Sequence, residues 1–389
     1  MKICFWGNNS AALEGNTYGG GELQLALLAK ALARGGNEVV IIDYETDKDF
    51  VTSDGIRVFK VEGWNNGIRF LRLFTHRLPK LYKLLKDQKA DVYYCRMRDF
   101  RHIFAFRAAR KVGGRFVLGL ASNLDVMNFR NRLRYNHIVS KFGIWNLYSN
   151  LLIEMVQPSL LRNSDLILAQ HEGQRSILAK KGIDSALFPN LFEFPKVSIG
   201  PVTGEKKEFV YVGRLDKRKG FGELFEIIKR SPQHYFKIIG APFGKTGISY
   251  FEKLKSYPNV QLMGKLSHPN TILQISNSKA IISTSAMEGF PNIFIEAWAS
   301  GVPVLSLFVD PGDIIKIEGL GSYAQGSIEK MLAAMDHVDN SPEFAFKAKK
   351  YVEETYLLTE KRIASINHLF ESLKLTPAKK HLQIHTALF

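Results

Sequence analysis

The chain alternates short apolar runs, rich in β-branched and aromatic residues, with longer stretches in which apolar residues recur at helical spacing. The first segments read KICFWG, a helical stretch over 20–34, and EVVIIDY. Strands that alternate with helices are typical of parallel βαβ units. The order continues through IRVFKVE, a helix near 69–86, DVYYC, a helix near 101–111, RFVLGL, a helical stretch to 163, and DLILAQ. The first half therefore predicts a parallel sheet.

The pattern breaks at 194–207, where FPKVSIGPVTGEKK has two prolines and two glycines and no periodicity, as domain linkers do. It resumes with EFVYVG, YFKIIG, NVQLMG, KAIISTS and VPVLSL, each beside a predicted helix. The predicted fold is α/β, with two Rossmann-like, doubly wound domains facing across a cleft. We expect an N-terminal domain over 1–195, a C-terminal domain over 196–355, and over 356–389 a helix that packs back toward the N-terminal domain, plus a tail.

Composition narrows the function classes. Apolar residues make up 46% of the 389 residues and charged residues 23%, enough for two buried cores and against a disordered chain. The formal charge of +16 favours an anionic partner: nucleic acid, an anionic membrane surface or a phosphorylated substrate. Cys4 and Cys95 lie far apart in apolar runs, which predicts neither a disulfide framework nor a thiolate metal site and fits a reducing cytoplasm. The start, MKICFWGNNS, turns polar too soon for a secretory signal, and Glu154 ends the apolar stretch near 144–153, so no membrane span is expected.

Ligands of doubly wound sheets bind beyond the carboxyl ends of the strands, so the turns after strands are the places to look for chemistry. The first such turn, in NTYGGGELQLALLAKALARGG, places Gly19, Gly20 and Gly21 at the start of a helix. Glycines there let the backbone approach an anion at a helix N-terminus, although a plain tight turn would also use them. The spacing is not the G-x-G-x-x-G of dinucleotide-binding folds.

The second turn follows the strand EFVYVG and contains Arg214 and Lys219. A forked guanidinium and a compact ammonium at the carboxyl end of one strand suit a diphosphate. The alternative interpretation is a solvated basic loop.

The third turn lies in AMEGFPNIFIEAWASGVPVLSL, where Glu288 and Glu296 are eight positions apart. Pro291 suits the first position of a helix, and Gly301 and Pro303 end it. Glu288 then lies in the turn before the helix and Glu296 about one turn into it, so two carboxylates flank a helix N-terminus. The alternative is a helix-capping acid at Glu288 and a solvated acid at Glu296.

Taken together, VGRLDKRKG, EGFPNIFIEAWASGVPV and GGGELQLALLAKALARGGNEV resemble the family 4 retaining glycosyltransferases, whose two Rossmann domains form the GT-B fold. The resemblance covers nearly the whole chain, and DLILAQHEGQRSILAKKGI and LFPNLFEF match the segment before the linker. Its most specific element is the pair of acids in the E-G-F-P context. It implies a metal-independent hexosyltransferase with an acceptor-side N-terminal domain and a C-terminal domain that binds a UDP- or GDP-linked sugar.

The resemblance also implies roles for single residues. Arg214 and Lys219 would stabilise the departing diphosphate, Glu296 would accept hydrogen bonds from the ribose, and Glu288 would face the donor sugar. Transfer would retain the sugar's configuration, with the leaving phosphate helping to deprotonate the acceptor and no cofactor beyond the donor. The implied catalytic residues are Glu288, Arg214 and Lys219, and the implied donor-binding residues are Gly20, Gly21, Arg214, Lys219, Glu288, Gly289, Phe290, Pro291, Asn292, Ile293 and Glu296.

The fourth turn departs from the family. Many relatives have a histidine just after the strand that corresponds to RFVLGL, where it contacts the donor sugar and the acceptor, but here the chain reads ASNLD over 121–125. Either Asn123 and Asp125 supply the polar contacts, or His102 or His171 enters from a neighbouring turn.

The segment that begins at Arg69, RFLRLFTHRLPKLYKLLKDQK, has apolar residues on one helical face and basic residues opposite, with Pro79 expected to bend the helix. It is either a core-facing helix with a solvated basic face or a surface that touches anionic lipid, as a lipid-linked acceptor would require. The apolar positions are 70, 71, 74, 78, 81, 82 and 85, and the basic ones are 69, 72, 76, 80, 83 and 86.

Two other function classes compete with sugar transfer. A nucleic-acid-binding protein would use the charge, but the sequence has no zinc spacing, helix-turn-helix pattern or RNP-like strand. A nucleotide-sugar epimerase of the same fold would convert the donor without an acceptor, and its catalytic acids and histidines find no match here. The expected function is therefore transfer to a glycan or lipid-linked acceptor in cell-surface polysaccharide synthesis, in the cytoplasm or at the inner face of the membrane.

Overall fold

A computed structural model describes residues 1–7, 10–13, 19–69, 71–128, 131–132, 144–194 and 206–375. The chain forms two compact units, one from Met1–Leu191 with the segment that begins at Leu358, and one from Phe192–Leu357. The divisions at 191/192 and 357/358 lie a few residues from the expected boundaries at 195/196 and 355/356. Residues 195–205, most of the expected linker, lie outside the described residues.

The first unit is built around one sheet with strand order β3-β4-β2-β1-β5-β6-β7-β8, parallel except for the antiparallel pair β3 and β4. The strands β5, β6 and β7 lie side by side, so their carboxyl ends meet at one edge. The strands are β1 Lys2–Trp6, β2 Glu38–Asp43, β3 Phe50–Val51, β4 Arg57–Lys60, β5 Val92–Arg96, β6 Arg115–Gly119, β7 Leu166–Ala169 and β8 Ala186–Leu187. The helices are α1 Ser10–Leu13, α2 Gly20–Arg34, α3 Leu78–Asp87, α4 His102–Val112, α5 Ile144–Asn163 and α6 Glu172–Ala179.

Both faces of this sheet are covered because side chains alternate along each strand. In β5, Tyr93 and Cys95 pack with α3, α4 and α5 in one core, while Val92 and Tyr94 pack with α2 in a second core on the opposite face. Near-continuous apolar runs such as DVYYC are the sequence expression of this two-sided burial.

The last helix, α14, spans Glu360–Leu375 and belongs to the first unit. Its Ile363, Ile366 and Phe370 are buried in the same core as α2. Asn367 Oδ1 accepts a hydrogen bond from Asn37 Nδ2 at 2.8 Å, and Asn367 Nδ2 donates to the Gly35 carbonyl at 3.2 Å. Polar contacts therefore also hold α14 against the C-terminal end of α2.

The second unit has a parallel sheet of order β11-β10-β9-β12-β13-β14, which is the 3-2-1-4-5-6 order of the doubly wound fold. The strand order reverses between β9 and β12, where such sheets bind ligands. The strands are β9 Glu208–Val212, β10 Tyr235–Ile239, β11 Val260–Gly264, β12 Ala280–Ser283, β13 Val304–Ser306 and β14 Gly321–Tyr323. The helices are α7 Phe221–Arg230, α8 Gly244–Leu254, α9 His268–Ser276, α10 Asn292–Ala299, α11 Ile314–Ile317, α12 Ile328–Asp336 and α13 Pro342–Thr355.

The predicted fold class is confirmed: both units are α/β with parallel sheets. Pattern analysis missed the short strands β3, β8 and β14, which have two or three residues each and are too short to show alternation. Among the helices of the described residues, none is both long enough and apolar enough to cross a bilayer.

The amphipathic helix expected near 69–86 is present over 73–87, but it begins later than expected and its first turn is not α-helical. A π-helical turn over Leu73–Arg77 leads into α3, and Pro79 stands in the first turn of α3, where a missing N–H costs nothing. Because a π turn uses more residues than an α turn, the apolar stripe does not stay in line across it. Leu78, Leu81 and Leu85 are buried, whereas Leu71 and Phe74 are exposed. Phe70 lies outside the described residues.

Candidate active site

The carboxyl ends of β9 and β12 bring the second and third turns together. The two strands are neighbours, with Ala280 opposite Phe209 and Ile281 opposite Val210. The turn after β9 carries Arg214 and, at the end of a short 3₁₀ segment over Lys217–Lys219, Lys219. Glu288 follows β12, so residues 69 positions apart meet at the reversal point of the sheet.

Lys219 and Glu288 are directly paired. Lys219 Nζ donates to Glu288 Oε1, and the two side chains are partly exposed, at 37% and 21%. The pair leaves both charges within reach of solvent, so a ligand oxygen can approach the ammonium without unfolding the turn. The pair places a cation and a hydrogen-bond acceptor side by side at the reversal point of the second sheet.

The 3₁₀ segment is held rigidly around Asp216. The carboxylate of Asp216 accepts from the Lys219 amide at 3.0 Å through Oδ1 and from Arg214 Nε at 2.6 Å through Oδ2. The Lys219 carbonyl accepts from the hydroxyls of Thr284 at 2.9 Å and Tyr211 at 3.2 Å. Asp216 therefore sets the positions of the two cations at once.

Gly220 ends this segment and cannot be replaced easily. Its φ is +66°, in the left-handed region, and a Cβ at this position would lie 1.9 Å from the carbonyl oxygen of Thr284. The glycine allows the turn after β9 to lie against the end of β12, which is how Lys219 comes to face Glu288.

Two contacts fix the orientation of the Arg214 side chain. Asp216 holds its Nε, and the guanidinium lies over the ring of Phe243, 4.6 Å from the ring centroid. The side chain is still 42% exposed. Arg214 is thus a preset cation with part of its guanidinium available to an anion.

Glu296 lies on α10 and is nearly buried, with its side chain 10% exposed. Its Oε1 is 3.1 Å from Nε2 of His268 at the start of α9. The hydrogen bond with this carboxylate raises the pKa of His268 above its ordinary value, although burial opposes the shift. Pattern analysis placed Glu296 one turn into the helix, as observed, but did not find His268.

The segment between the two acids differs in detail from the expectation. Pro291 is the residue before the first helical residue rather than the first one. It has no N–H, and the Phe294 amide donates to its carbonyl, so Asn292 and Ile293 are the residues whose amides lie at the start of α10. Phe290 is a core residue: it is 5% exposed, and its ring packs on Trp298 and Tyr356. Gly289 is buried beside it.

In the first unit, Gly20 and Gly21 begin α2, as expected. The carboxylate of Glu22 accepts from the Gly19 amide, so an acid of the chain already caps this helix. A Cβ on Gly21 would lie 2.6 Å from Sδ of Met97, which gives this glycine a packing role. The helix start is therefore a less open anion site than the turn after β9.

The four residues proposed to supply polar contacts at the fourth turn have different surroundings in the structure. Asn123 and His171 meet, with Asn123 Oδ1 3.1 Å from His171 Nε2. Asp125 is buried and its Oδ2 accepts from the amides of Ala121 and Ser122, so it is a cap of the turn rather than a ligand for sugar. His102 is buried at the start of α4, where burial lowers its pKa to about 4.

The sequence matches two family descriptions that together span most of the chain: Glycosyltransferase Family 4 over residues 18–190 and Glycosyl transferases group 1 over residues 197–321. These matches fall on both Rossmann-like units. The chain belongs to the family 4 glycosyltransferases.

The relatives of this glycosyltransferase agree with that assignment. Lipopolysaccharide 1,6-galactosyltransferase of Escherichia coli K12 is 24% identical over 383 residues, which cover 90% of this chain and 95% of the relative. The fold is that of sucrose-phosphate synthase from Thermosynechococcus elongatus, with a TM-score of 0.76 at 16% identity over 96% and 99% of the two chains. The Anabaena protein HepE, solved in complex with UDP and glucose, gives a TM-score of 0.63 at 16% identity over 97% and 100%.

Several residues that shape the site of this glycosyltransferase escaped the sequence analysis. Asp216 was visible in the motif RLDKRKG as an acid between basic residues, which is the usual sign of a cap before a short helical turn. Thr284, Phe243 and His268 carry no local signal, because their contacts with the site arise only when strands and helices distant in sequence meet.

Proposed function

We propose that this glycosyltransferase retains the configuration of the transferred hexose and moves it from a UDP- or GDP-linked donor to a glycan or lipid-linked acceptor in cell-surface polysaccharide synthesis, without a metal. The observation that carries the proposal is the meeting of Arg214, Lys219 and Glu288 at the reversal point of the second sheet. The similarity to a lipopolysaccharide galactosyltransferase supports a cell-surface glycan as the product.

The charges fit the departure of a diphosphate. When the bond to the sugar carbon breaks, negative charge grows on the phosphate and positive character grows on the sugar. Arg214 and Lys219 supply two cations for the phosphate, in the place that a divalent metal takes in other transferases. They are preset by Asp216, so little reorganisation is needed as charge develops.

Glu288 adds a hydrogen-bond acceptor for the sugar to the two cations that face the phosphate. Its carboxylate is paired with Lys219 before a ligand binds. A phosphate that takes over the ammonium would release this carboxylate to accept hydrogen bonds from the sugar. The acceptor hydroxyl would then attack from the side of the leaving phosphate, whose oxygen takes the proton.

An anionic membrane is the proposed surface for a lipid-linked acceptor. Exposed apolar side chains occur on two neighbouring segments of the first unit, and Leu73 and Leu78 of one pack with Leu152 and Ile153 of the other. One of these segments lies within 69–86, which is also rich in basic residues, and the chain carries a formal charge of +16. We define the apolar patch as Ile68, Leu71, Phe74, Tyr148, Leu151 and Met155.

The test is a donor screen followed by transfer. UDP- and GDP-linked glucose, galactose, mannose and their N-acetylated forms are added singly, and the donor that raises the melting temperature is then incubated with lipopolysaccharide and with polyprenyl-diphosphate-linked sugars. NMR of the product gives the anomeric configuration. We expect one donor to dominate and the configuration to be retained.

Metal independence is checked in the same assay. Transfer should continue in EDTA, whereas loss in EDTA with recovery on adding magnesium would contradict it. A donor converted to another nucleotide sugar without any acceptor would favour the epimerase instead, and an inverted product would contradict retention.

A further inference from the structure

A chain of hydrogen-bonded side chains, most of them buried, runs across the carboxyl ends of β5, β6, β7 and β8 in the first unit. It starts at Arg96, which is 5% exposed and donates from Nη2 to Asn190 Oδ1 at 3.1 Å. Gln170 Nε2 donates to the same Asn190 oxygen at 2.8 Å. Gln174 Nε2 then donates to Gln170 Oε1 and to Asn123 Oδ1, both at 3.2 Å. His171 Nε2 completes the chain on Asn123 Oδ1 at 3.1 Å.

This hydrogen-bond chain permits only one orientation of each side-chain amide in it. Arg96 can only donate, so the oxygen of Asn190 must face it, and Gln170 must turn its nitrogen toward Asn190 and its oxygen toward Gln174. The Gln170 backbone amide donates to Gln174 Oε1 at 2.8 Å, which independently turns the nitrogen of Gln174 toward Gln170 and Asn123. Reversing any of these amides would place two donors or two acceptors against each other.

The orientation reaches Asn123 and sets the proton on His171. Since Gln174 donates to Asn123, the Asn123 oxygen faces inward and accepts from His171 as well, so His171 carries its proton on Nε2. Burial lowers the pKa of His171 to about 4, so the ring is neutral near pH 7. Both lone pairs of Asn123 Oδ1 are then used.

The amide nitrogen of Asn123, Nδ2, is the group of this residue that a ligand can still contact. Its Nδ2 makes no hydrogen bond to any residue in the part of the chain that the structure describes, and the residue is half-buried at the carboxyl end of β6. A buried hydrogen-bond chain that leaves one group projecting outward presents that group in a fixed direction, as a donor that cannot turn into an acceptor.

We propose that Asn123 is a substrate-binding residue whose Nδ2 donates to a hydroxyl oxygen of the carbohydrate substrate, and that His171 and Gln174 are positioning residues that keep the donor outward. This rests on the proposed function and adds a selectivity: the group facing Asn123 accepts a hydrogen bond, so an ammonium there would be rejected. An amide keeps its donor at every working pH, so the contact does not depend on a titration of Asn123 itself.

The first test needs no substrate. Long-range ¹H–¹⁵N correlation spectra of the imidazoles, assigned with His171→Gln, report which nitrogen of His171 carries the proton at pH 7. The Nε2–H form is expected. The Nδ1–H form would overturn the inferred orientation of Asn123, on which the proposal rests.

The second test uses transfer from the donor that the screen selects. Asn123→Ala should lower kcat/KM about tenfold, as expected for losing one hydrogen bond, while calorimetric affinity for UDP and GDP stays unchanged. His171→Ala should lower kcat/KM less, and should add nothing to Asn123→Ala, because it acts through Asn123. His171→Gln, which still carries a donor, should recover most of the loss.

The outcomes separate the two proposals. If the wild-type protein transfers no sugar from any donor, the proposed function fails, and the tautomer of His171 still decides whether the chain is oriented as inferred. If the wild type transfers sugar and Asn123→Ala does so equally well, the contact is wrong. Multiplying effects in the double variant would show that His171 acts on something other than Asn123. Melting curves of each variant guard against loss of folding.

Discussion

Lys219 Nζ donates to Glu288 Oε1, so the cation and the carboxylate of the site hold each other before any ligand is present. Each thereby keeps the other ordered, although the pair is too exposed to add much to stability. Its consequence lies in binding, because a diphosphate must compete with Glu288 for Lys219.

The first prediction concerns this competition. Glu288→Gln removes the anion beside Lys219, so affinity for free UDP or GDP should equal or exceed that of the wild type, while turnover should fall by about tenfold to a hundredfold. Calorimetry and steady-state rates measure the two effects. Lys219→Ala should lose both affinity and rate, and Lys217→Ala, an exposed lysine of the same turn, is the matched control. A Glu288→Gln variant that loses nucleotide affinity would show that the acid binds the nucleotide.

The second prediction assigns Glu296. If its carboxylate accepts from the ribose, Glu296→Gln should weaken free UDP or GDP binding by roughly tenfold or more, because a charged hydrogen bond is replaced by a neutral one. The same change should lower the pKa of His268, followed by NMR titration, since the hydrogen bond with the carboxylate is what raises it. A lowered pKa with unchanged nucleotide affinity would make Glu296 a partner of His268 and remove its ribose role.

The third prediction uses two glycines with similar backbones. Gly220 and Gly244 have φ of +66° and +71°, but a Cβ on Gly220 would meet the Thr284 carbonyl, whereas a Cβ on Gly244 has nothing within 4 Å. Gly244→Ala should cost about 1 kcal/mol of unfolding free energy for the strained φ alone. Gly220→Ala should cost several times as much and reduce nucleotide affinity, because the turn that carries Lys219 must move. Urea unfolding measures the costs, and equal values would contradict the close approach.

The fourth prediction is a pH effect on stability. Burial lowers the pKa of His102 to about 4, so between pH 6.5 and 4 the unfolded chain binds a proton that the folded chain refuses. Stability from this group is present above pH 6.5 and is lost as the pH falls toward 4. His102→Leu should shrink the difference in unfolding free energy between pH 7 and pH 5 by about 2 kcal/mol. The same change at His337, an exposed histidine, is the matched control.

The fifth prediction tests the membrane surface. The wild-type protein should sediment with vesicles that contain phosphatidylglycerol and not with neutral ones, and reversing Arg72, Lys80 and Lys83 to glutamate should release it. Reversing Lys347, Lys349 and Lys350, which are exposed on α13, changes the net charge equally and should not. Release by both triple variants would mean attraction by net charge without a specific surface.

The sequence by itself determined the two parallel sheets and which turns after strands carry the candidate residues. Strands buried on both faces need continuous apolar runs, and the helices between them need apolar spacing, so both periods are written in the chain. Arg214, Lys219 and Glu288 were found for a similar reason: turns after strands carry few residues, and unusual charges in them stand out. Glu296 was found through its place in the same motif, on the helix that follows.

Only the tertiary structure decided which of these residues meet. Lys219 pairs with Glu288 because β9 lies beside β12, and Asn123 meets His171 because β6 lies beside β7. Strand order depends on how helices cover both faces of a sheet, which local periodicity does not encode. The orientation of the Asn123 amide is even harder to predict from the sequence. It follows from a series of hydrogen bonds that begins at Arg96, and these form only after the strand ends have come together.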